Sequence, residues 1–272
     1  MRGLIDAWSV RRLLTDHYVA IPPQSSERGR EPPQGGFAFS WSLGIRTNIY
    51  VDGFNLYYGA VKGTPYRWLD VAKLCLEVLP DISINRIRYF TALVKSTPAD
   101  PHMANRQQFF IRALETIPNL TVHYGHFLES KPRMPLAYPP FGGPATVEVV
   151  KMEEKGSDVN IATYMLVDAF RNDCDQLIVV TNDSDLAEPV RIINKELNIP
   201  VGVFNPHSQS MSDCRHRISG RLGPAQQKRQ SVTLRKVAKF SRDIKEAHLI
   251  AAQFPAVLTD AQGKTVRKPA GW

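Results

Sequence analysis

Short apolar runs recur along the chain between stretches of helical spacing, and this alternation constrains the fold more than any other feature. The run TNIYVD (47–52) is strand-like and nearly all apolar up to a terminal acid. QLIVVT (176–181) and IPVGVF (199–204) have the same character. Runs of this kind suit strands covered on both faces, as in parallel sheets. RIRYFTALV (86–94) and the alternating stretch 120–128 add two more strands. Residues 67–79 place Trp68, Val71, Leu74, Cys75 and Val78 at helical spacing. Residues 102–116 read as a helix stopped by Pro118, and 185–197 as another. Over 157–171, Val159, Ala162, Leu166 and Ala169 share one helical side. Strands alternating with helices predict an α/β protein: a three-layer α/β/α sandwich on a mostly parallel central sheet.

The ends differ from this body. Residues 1–46 read as a poorly structured extension: a short helix over 1–20, then the Pro/Gly-rich linker PPQSSERGREPPQGG (22–36). A second Pro/Gly-rich loop covers 131–144. Residues 233–252 read as one basic amphipathic helix and 254–272 as an extended tail. The chain therefore divides into an extension (1–46), a folded domain (47–206) and a C-terminal arm with one helix (207–272), in which the sheet is joined by a basic helical extension.

Charge marks the same division. Residues 1–205 hold 21 Lys and Arg against 22 Asp and Glu, whereas residues 206–272 hold 13 against 4. The net charge of +8 thus lies wholly in the last quarter. A basic segment beside a neutral body can contact phosphates, or can simply be a solvated tail. The three cysteines, Cys75, Cys174 and Cys214, are far apart and form no C-x-x-C pair. That argues against a disulfide scaffold and for a reducing, cytoplasmic setting. No apolar run reaches the roughly 20 residues of a membrane span. Arg11, Arg12 and Asp16 interrupt any secretory core near the start.

In an open parallel sheet, ligands bind beyond the carboxyl ends of the strands. Acids gather there. Asp52 closes YVD, Asp183 and Asp185 follow LIVVT in the run TNDSD, and Asp158 starts the helix after EEKGS. Bringing carboxylates together is costly without a cation, since unit charges ~4 Å apart repel by ~4 kcal/mol at an effective dielectric near 20. Mg²⁺ or Mn²⁺ takes such oxygen ligands and suits phosphate chemistry. Asn55 is placed to orient water or a substrate oxygen. Each acid also has a structural reading: Asp158 and Asp183 fall where helix N-caps belong, and Asp52 where a turn former belongs.

Other candidates are weaker. There is no G-x-G-x-x-G and no P-loop, so a nucleotide-cofactor enzyme lacks its fingerprint. His123 and His126, at odd spacing on one expected strand, point to opposite faces. Cys214 and His216 lie in a basic loop. Asp168 is turned away from Asp158 along the helix and reads as a salt-bridge or helix-end residue. Asp173 and Asp175 read as turn residues.

The segments YVDGFNLYYG (50–59), EKGSDVNIATYMLVDAF (154–170) and VVTNDSDLAEPVRII (179–193) resemble the NYN domain, a branch of the PIN-like nucleases. The resemblance covers roughly 47–205. It implies an α/β/α sandwich, a Mg²⁺ or Mn²⁺ site at the strand ends, and hydrolysis of RNA. Asp52 matches the first motif acid and Asn55 its companion, Asp158 the helix-start acid, and Asp183 and Asp185 the acidic pair after the fourth strand. Asn182 stands where the family often has Gly. The QFP…KPAGW segment looks like a tail of some bacterial members.

The expectation is a metal-dependent ribonuclease in which Asp52, Asp158, Asp183 and Asp185 hold the cation. Asn55, Ser184 and Asn182 would position phosphate or water, and Lys236, Lys239 and Arg242 would bind the backbone of single-stranded RNA. No membrane is expected, and a homo-oligomer stays open. The rivals are a non-catalytic RNA-binding or regulatory protein that keeps the fold, and another phosphoryl-transfer enzyme such as a phosphatase.

Overall fold

Strand β1 (Ile45–Asp52) is the hub of the architecture, because it pairs in parallel with strands on both sides. On one side lie β2 (Ile82–Thr91) and then β3 (Leu120–Tyr124). On the other lie β8 (Gln176–Val180), β9 (Val201–Asn205) and β10 (Phe240–Asp243). The order β10-β9-β8-β1-β2-β3 is parallel throughout and six-stranded among the described residues. The computed structural model describes residues 45–220, 230–260, 262–270 and 272. The expected extension 1–46 falls almost wholly outside them.

Alternate residues of the central strands feed two cores. Ile49, Val51, Ile178 and Val180 face one side, with α2 (Val71–Val78), α3 (Met103–Leu114), α6 (Gln209–Ser219) and α8 (Glu246–Ala251). Tyr50, Leu177, Val179 and Val203 face the other, with α4 (Ser157–Phe170), α5 (Ala187–Lys195) and α7 (Val232–Val237). Fully burying one such side chain contributes about 1.5–3 kcal/mol. Helices on both faces make this the expected three-layer α/β sandwich. The turn between β1 and α2 is itself helical: α1 (Gly53–Leu56) widens into a π-helical turn over Tyr57–Val61.

Two expectations need correction. The stretch 120–128 is not one strand. It breaks at Gly125 into β3 and β4 (His126–Ser130), and β4 leaves the central sheet to pair antiparallel with β7 (Lys151–Lys155). A Cβ at 125 would stand 2.7 Å from the Lys155 carbonyl oxygen, so the crossing needs glycine. The hairpin continues through β5 (Arg133–Pro135) and β6 (Thr146–Glu148) as a β-arm, with most of the expected Pro/Gly-rich loop between these two strands. His123 and His126 consequently belong to different sheets.

The second correction concerns 233–252. It is not one helix but α7, the edge strand β10, and α8. The described C-terminal residues are built into the body. Beyond α8, a small hairpin of β11 (Val257–Thr259) and β12 (Thr265–Arg267) buries Val266 in the first core. Trp272 meets the rings of Trp68 at 6.2 Å and Phe110 at 6.0 Å.

Candidate active site

The connections from β1 run outward through β2 and β3, whereas those from β8 run outward through β9 and β10. The chain thus changes direction between β1 and β8, and the carboxyl ends of these two neighbours form a topological switch point where ligands bind. Val51 pairs with Val180, so Asp52 and Thr181 leave the sheet side by side. Gly53 lets the chain turn here against β2: a Cβ would stand 2.6 Å from the Phe90 carbonyl oxygen.

Hydrogen bonds tie the two strand ends together. Asp52 is buried and caps α1, its Oδ1 accepting from the Asn55 N–H at 2.9 Å. Its Oδ2 accepts from Thr181 Oγ1 at 3.1 Å. Asn55 Oδ1 accepts from the Asn182 N–H at 3.0 Å. Asp183 donates its N–H to Thr181 Oγ1 at 3.1 Å and caps the short 3₁₀ turn Ser184–Leu186 by accepting from the Asp185 N–H at 3.0 Å. Asn182 is buried, and its Oδ1 accepts from the Ser231 N–H at 2.7 Å. This residue therefore joins α7 to the site loop rather than facing outward to a substrate, contrary to the expectation. Ser184 and Asp185 are exposed.

The capping readings now separate. The reading holds for Asp183, and Asp52, expected as a turn former, also proves to be a cap. It fails for Asp158, because the N-cap position of α4 is Gly156, in the left-handed region at φ 98°, and Asp158 lies in the first turn. The half-buried Asp158 carboxylate makes no hydrogen bond or ion pair among the described residues. The start of α4 is instead served by Glu154, which accepts from Ser157 Oγ at 2.8 Å and from its N–H at 3.3 Å.

The four expected acids share one electrostatic environment. Burial pushes the Asp52 carboxyl up to about 6, opposed by the Asn55 N–H and reinforced by the charges of Asp158 and Asp183. Asp158 is also raised, by burial first and then by Asp183, Glu154 and Asp185. Among the described residues, no three His, Cys, Asp or Glu side chains stand close enough to make a ready-formed metal cage. The close meeting of Asp52, Asp158 and Asp183 expected from sequence is therefore looser than anticipated: like charges repel, and Asp52 and Asp183 are held by their own caps. The donor chemistry nonetheless fits a hard divalent ion. The set is all oxygen, and its mutual repulsion is what a cation relieves.

Glu154 and Thr181 were not singled out by sequence reasoning. The only signal for Glu154 was its place in EEKGSD, four residues before Asp158. Thr181 carried none beyond closing a strand. Lys236 on α7, Lys239 in the link that follows it and Arg242 on β10 are all exposed. Helix α7 packs beside the Ser184–Leu186 turn, and a groove of about 330 Å³ opens along it, lined by Gln230, Val232, Arg235 and Lys236.

The Asp52 shift gives a test. In metal-free buffer the folded protein holds a proton that the unfolded chain releases near 3.8. That stabilisation is complete below the unfolded value and lost as pH rises through about 6. Asp52→Asn keeps a capping side chain and removes the effect. The variant should exceed the wild type by about 2–3 kcal/mol near neutral pH, the gap closing in acid. A gap independent of pH in denaturant titrations would contradict this.

The fold is thus a doubly wound α/β sheet with acids at its switch point. Residues 46–218 match the NYN domain, and the chain belongs to this family. It is 28% identical over 253 residues to the 6-hydroxy-3-succinoylpyridine 3-monooxygenase HspA of Pseudomonas putida, covering 84% of this chain and 75% of that protein. Among solved structures it is similar to a protein of unknown function from Vibrio parahaemolyticus. That match has 19% identity and a TM-score of 0.43, over 75% of this chain and 95% of the other. Among the described residues, no helix is long and apolar enough to cross a membrane.

Proposed function

We propose that the protein is a divalent-cation-dependent ribonuclease. The observation that carries the proposal is Asp158: a half-buried carboxylate at the switch point with no hydrogen-bond or ion-pair partner among the described residues and several acidic neighbours. Membership of the NYN family supports it. Asp52, Asp158, Asp183 and Asp185 would hold Mg²⁺ or Mn²⁺, which supplies electrophilic stabilisation of the scissile phosphate. The exposed Ser184 hydroxyl would donate to a phosphate oxygen. Asn55 has an Nδ2 that makes no bond among the described residues, so it can donate as well, while its Oδ1 holds the Asn182 loop. The test is labelled single-stranded RNA with Mn²⁺ or with EDTA. Cleavage in Mn²⁺ alone is expected, and intact RNA in both overturns the proposal.

The basic surface next to the acids would bind the RNA backbone. Each phosphate contact contributes about 0.7 to the salt dependence of single-strand binding. Reversing the charges of Lys236, Lys239 and Arg242 together should flatten that slope by about 2 and weaken binding, with the melting temperature retained because all three are exposed. Unchanged affinity and slope would remove this surface from the RNA path.

The similarity to HspA favours a second reading: oxygenation of a small hydroxypyridine at the same switch point. Oxygen uptake with 6-hydroxy-3-succinoylpyridine and a reduced nicotinamide, in the absence of any RNA cleavage, would favour it.

A further inference from the structure

The turn that carries Asp52 and Asn55 continues directly into two tyrosines. Tyr57 is 39% and Tyr58 54% exposed, although both stand between the buried Leu56 and the buried Gly59 and Ala60. Their rings meet edge to face, with centroids 5.2 Å apart and planes at 76°. Lys62 Nζ lies 4.7 Å from the centre of the Tyr58 ring. Arg67 and Arg106 are close enough to Tyr57 to act on its phenol. The segment Tyr57–Val61 is a π-helical turn, a rare form that is frequent at functional sites. Tyr58 follows Asn55 by three residues, so the platform and the acid-bearing turn belong to one continuous segment.

A pair of exposed aromatic rings braced by cations presents π-faces and positive charge together. Tyr57 also lines a small cavity with Leu56, Val61, Leu69 and Tyr89 of the first core, whereas Tyr58 is the more exposed of the two. The helical turn could close with small residues here, as it does at Gly59 and Ala60. Large flat rings held at an angle are instead suited to a flat, electron-poor ligand whose backbone is anionic. Nucleobases of a single strand meet this description, because every base has a π-face and none is hidden in a duplex. A base seated on Tyr58 would displace the Lys62 ammonium from over the ring to the base's own phosphate, with the neighbouring phosphate toward Asn55 and the carboxylates.

We infer that Tyr57 and Tyr58, with Lys62, form a stacking platform for an unpaired nucleobase beside the cleaved bond, which makes the substrate single-stranded at that position. The inference rests on the ribonuclease reading and adds what selects the strand. The platform tolerates any base, since stacking reads the face and not the hydrogen-bonding edge. It discriminates against duplex.

The test measures binding of a short fluorescent single-stranded RNA in Ca²⁺, with the RNA checked for integrity afterwards. Three versions are compared: the full strand, the same strand with one abasic site placed in turn along it, and a duplex. Tyr58→Ala should weaken binding of the full strand about tenfold, in line with the loss of one base–aromatic stack. Tyr58→Phe should retain it. An abasic site at one position should weaken the wild type to a similar degree and leave the Tyr58→Ala variant unaffected. Equal binding of the full strand by wild type and Tyr58→Ala overturns the platform while the ribonuclease reading stands. An equal further loss for the variant at every abasic position also overturns it, since Tyr58 would then act without touching a base. Failure of the wild type to cleave RNA in Mn²⁺ overturns the ribonuclease reading and the platform's ligand with it.

Discussion

Asp158→Asn is expected to lose at least about a hundredfold in RNA cleavage while keeping its fold. The side-chain size is unchanged and no hydrogen bond is broken, because the carboxylate has no partner among the described residues. Two small terms act on stability in opposite directions. An acid in the first turn favours the helix dipole by about 0.3–1 kcal/mol, which the variant forfeits. Repulsion from Asp183, Glu154 and Asp185 is relieved in return. The net change in melting temperature should be small. Catalysis has no such compensation: charge stabilisation at the phosphate amounts to several kcal/mol, and each 1.36 kcal/mol is about tenfold in rate. If Asp158 served the helix alone, the pattern would reverse, with lower stability and full cleavage. Single-turnover cleavage and thermal melting on one preparation distinguish the two.

The largest effect on stability is expected away from the site, at Asp168. Its carboxylate is fully buried and accepts from Arg88 Nε at 2.8 Å, from Arg88 Nη2 at 2.9 Å and from the Tyr50 hydroxyl at 2.8 Å. Arg88 is in turn covered by the Tyr164 ring at 4.4 Å, and its Nη1 lies 3.2 Å from His123 Nε2. Asp168→Ala leaves a buried guanidinium without its counter-charge and a buried phenol without its acceptor. Breaking one partner of a buried pair costs about 3–5 kcal/mol. The melting temperature should fall by roughly 10 °C. The double change Arg88→Met with Asp168→Leu removes both charges and should recover much of the loss. A single variant that melts like the wild type would show the network to be without weight.

The sequence made some of this visible and hid the rest for identifiable reasons. Strands β1, β8 and β9 are covered on both faces, so each carries a short apolar run (IYV, LIVV and VGVF) that could be read directly. Strand β10 (FSRD) lies at the sheet edge, is four residues long and carries two charges, which hides a strand inside an apparently helical stretch. The β-arm was hidden because its strands are short and partly exposed, with prolines between them. At the site, the acids were legible because parallel strands deliver their last residues to one edge. Asp168 was read as an ion-pair residue from its turn around α4, and the structure pairs it with Arg88. Glu154 and Thr181 were not legible, because their roles depend on loops folding back. The same holds for Asn182: its burial follows from α7 docking on the loop, which no local pattern encodes.

The central claim is that the strand-end carboxylates form one cation site, and Mn²⁺ binding followed by electron paramagnetic resonance tests it without requiring the right RNA. Free aqueous Mn²⁺ gives a strong signal that falls when the ion is bound. Titration into the metal-free wild type should show binding at the acidic site, lost or greatly weakened in Asp158→Asn and in Asp52→Asn. A free-ion signal undiminished by the wild type, or diminished equally by all three proteins, would contradict the account.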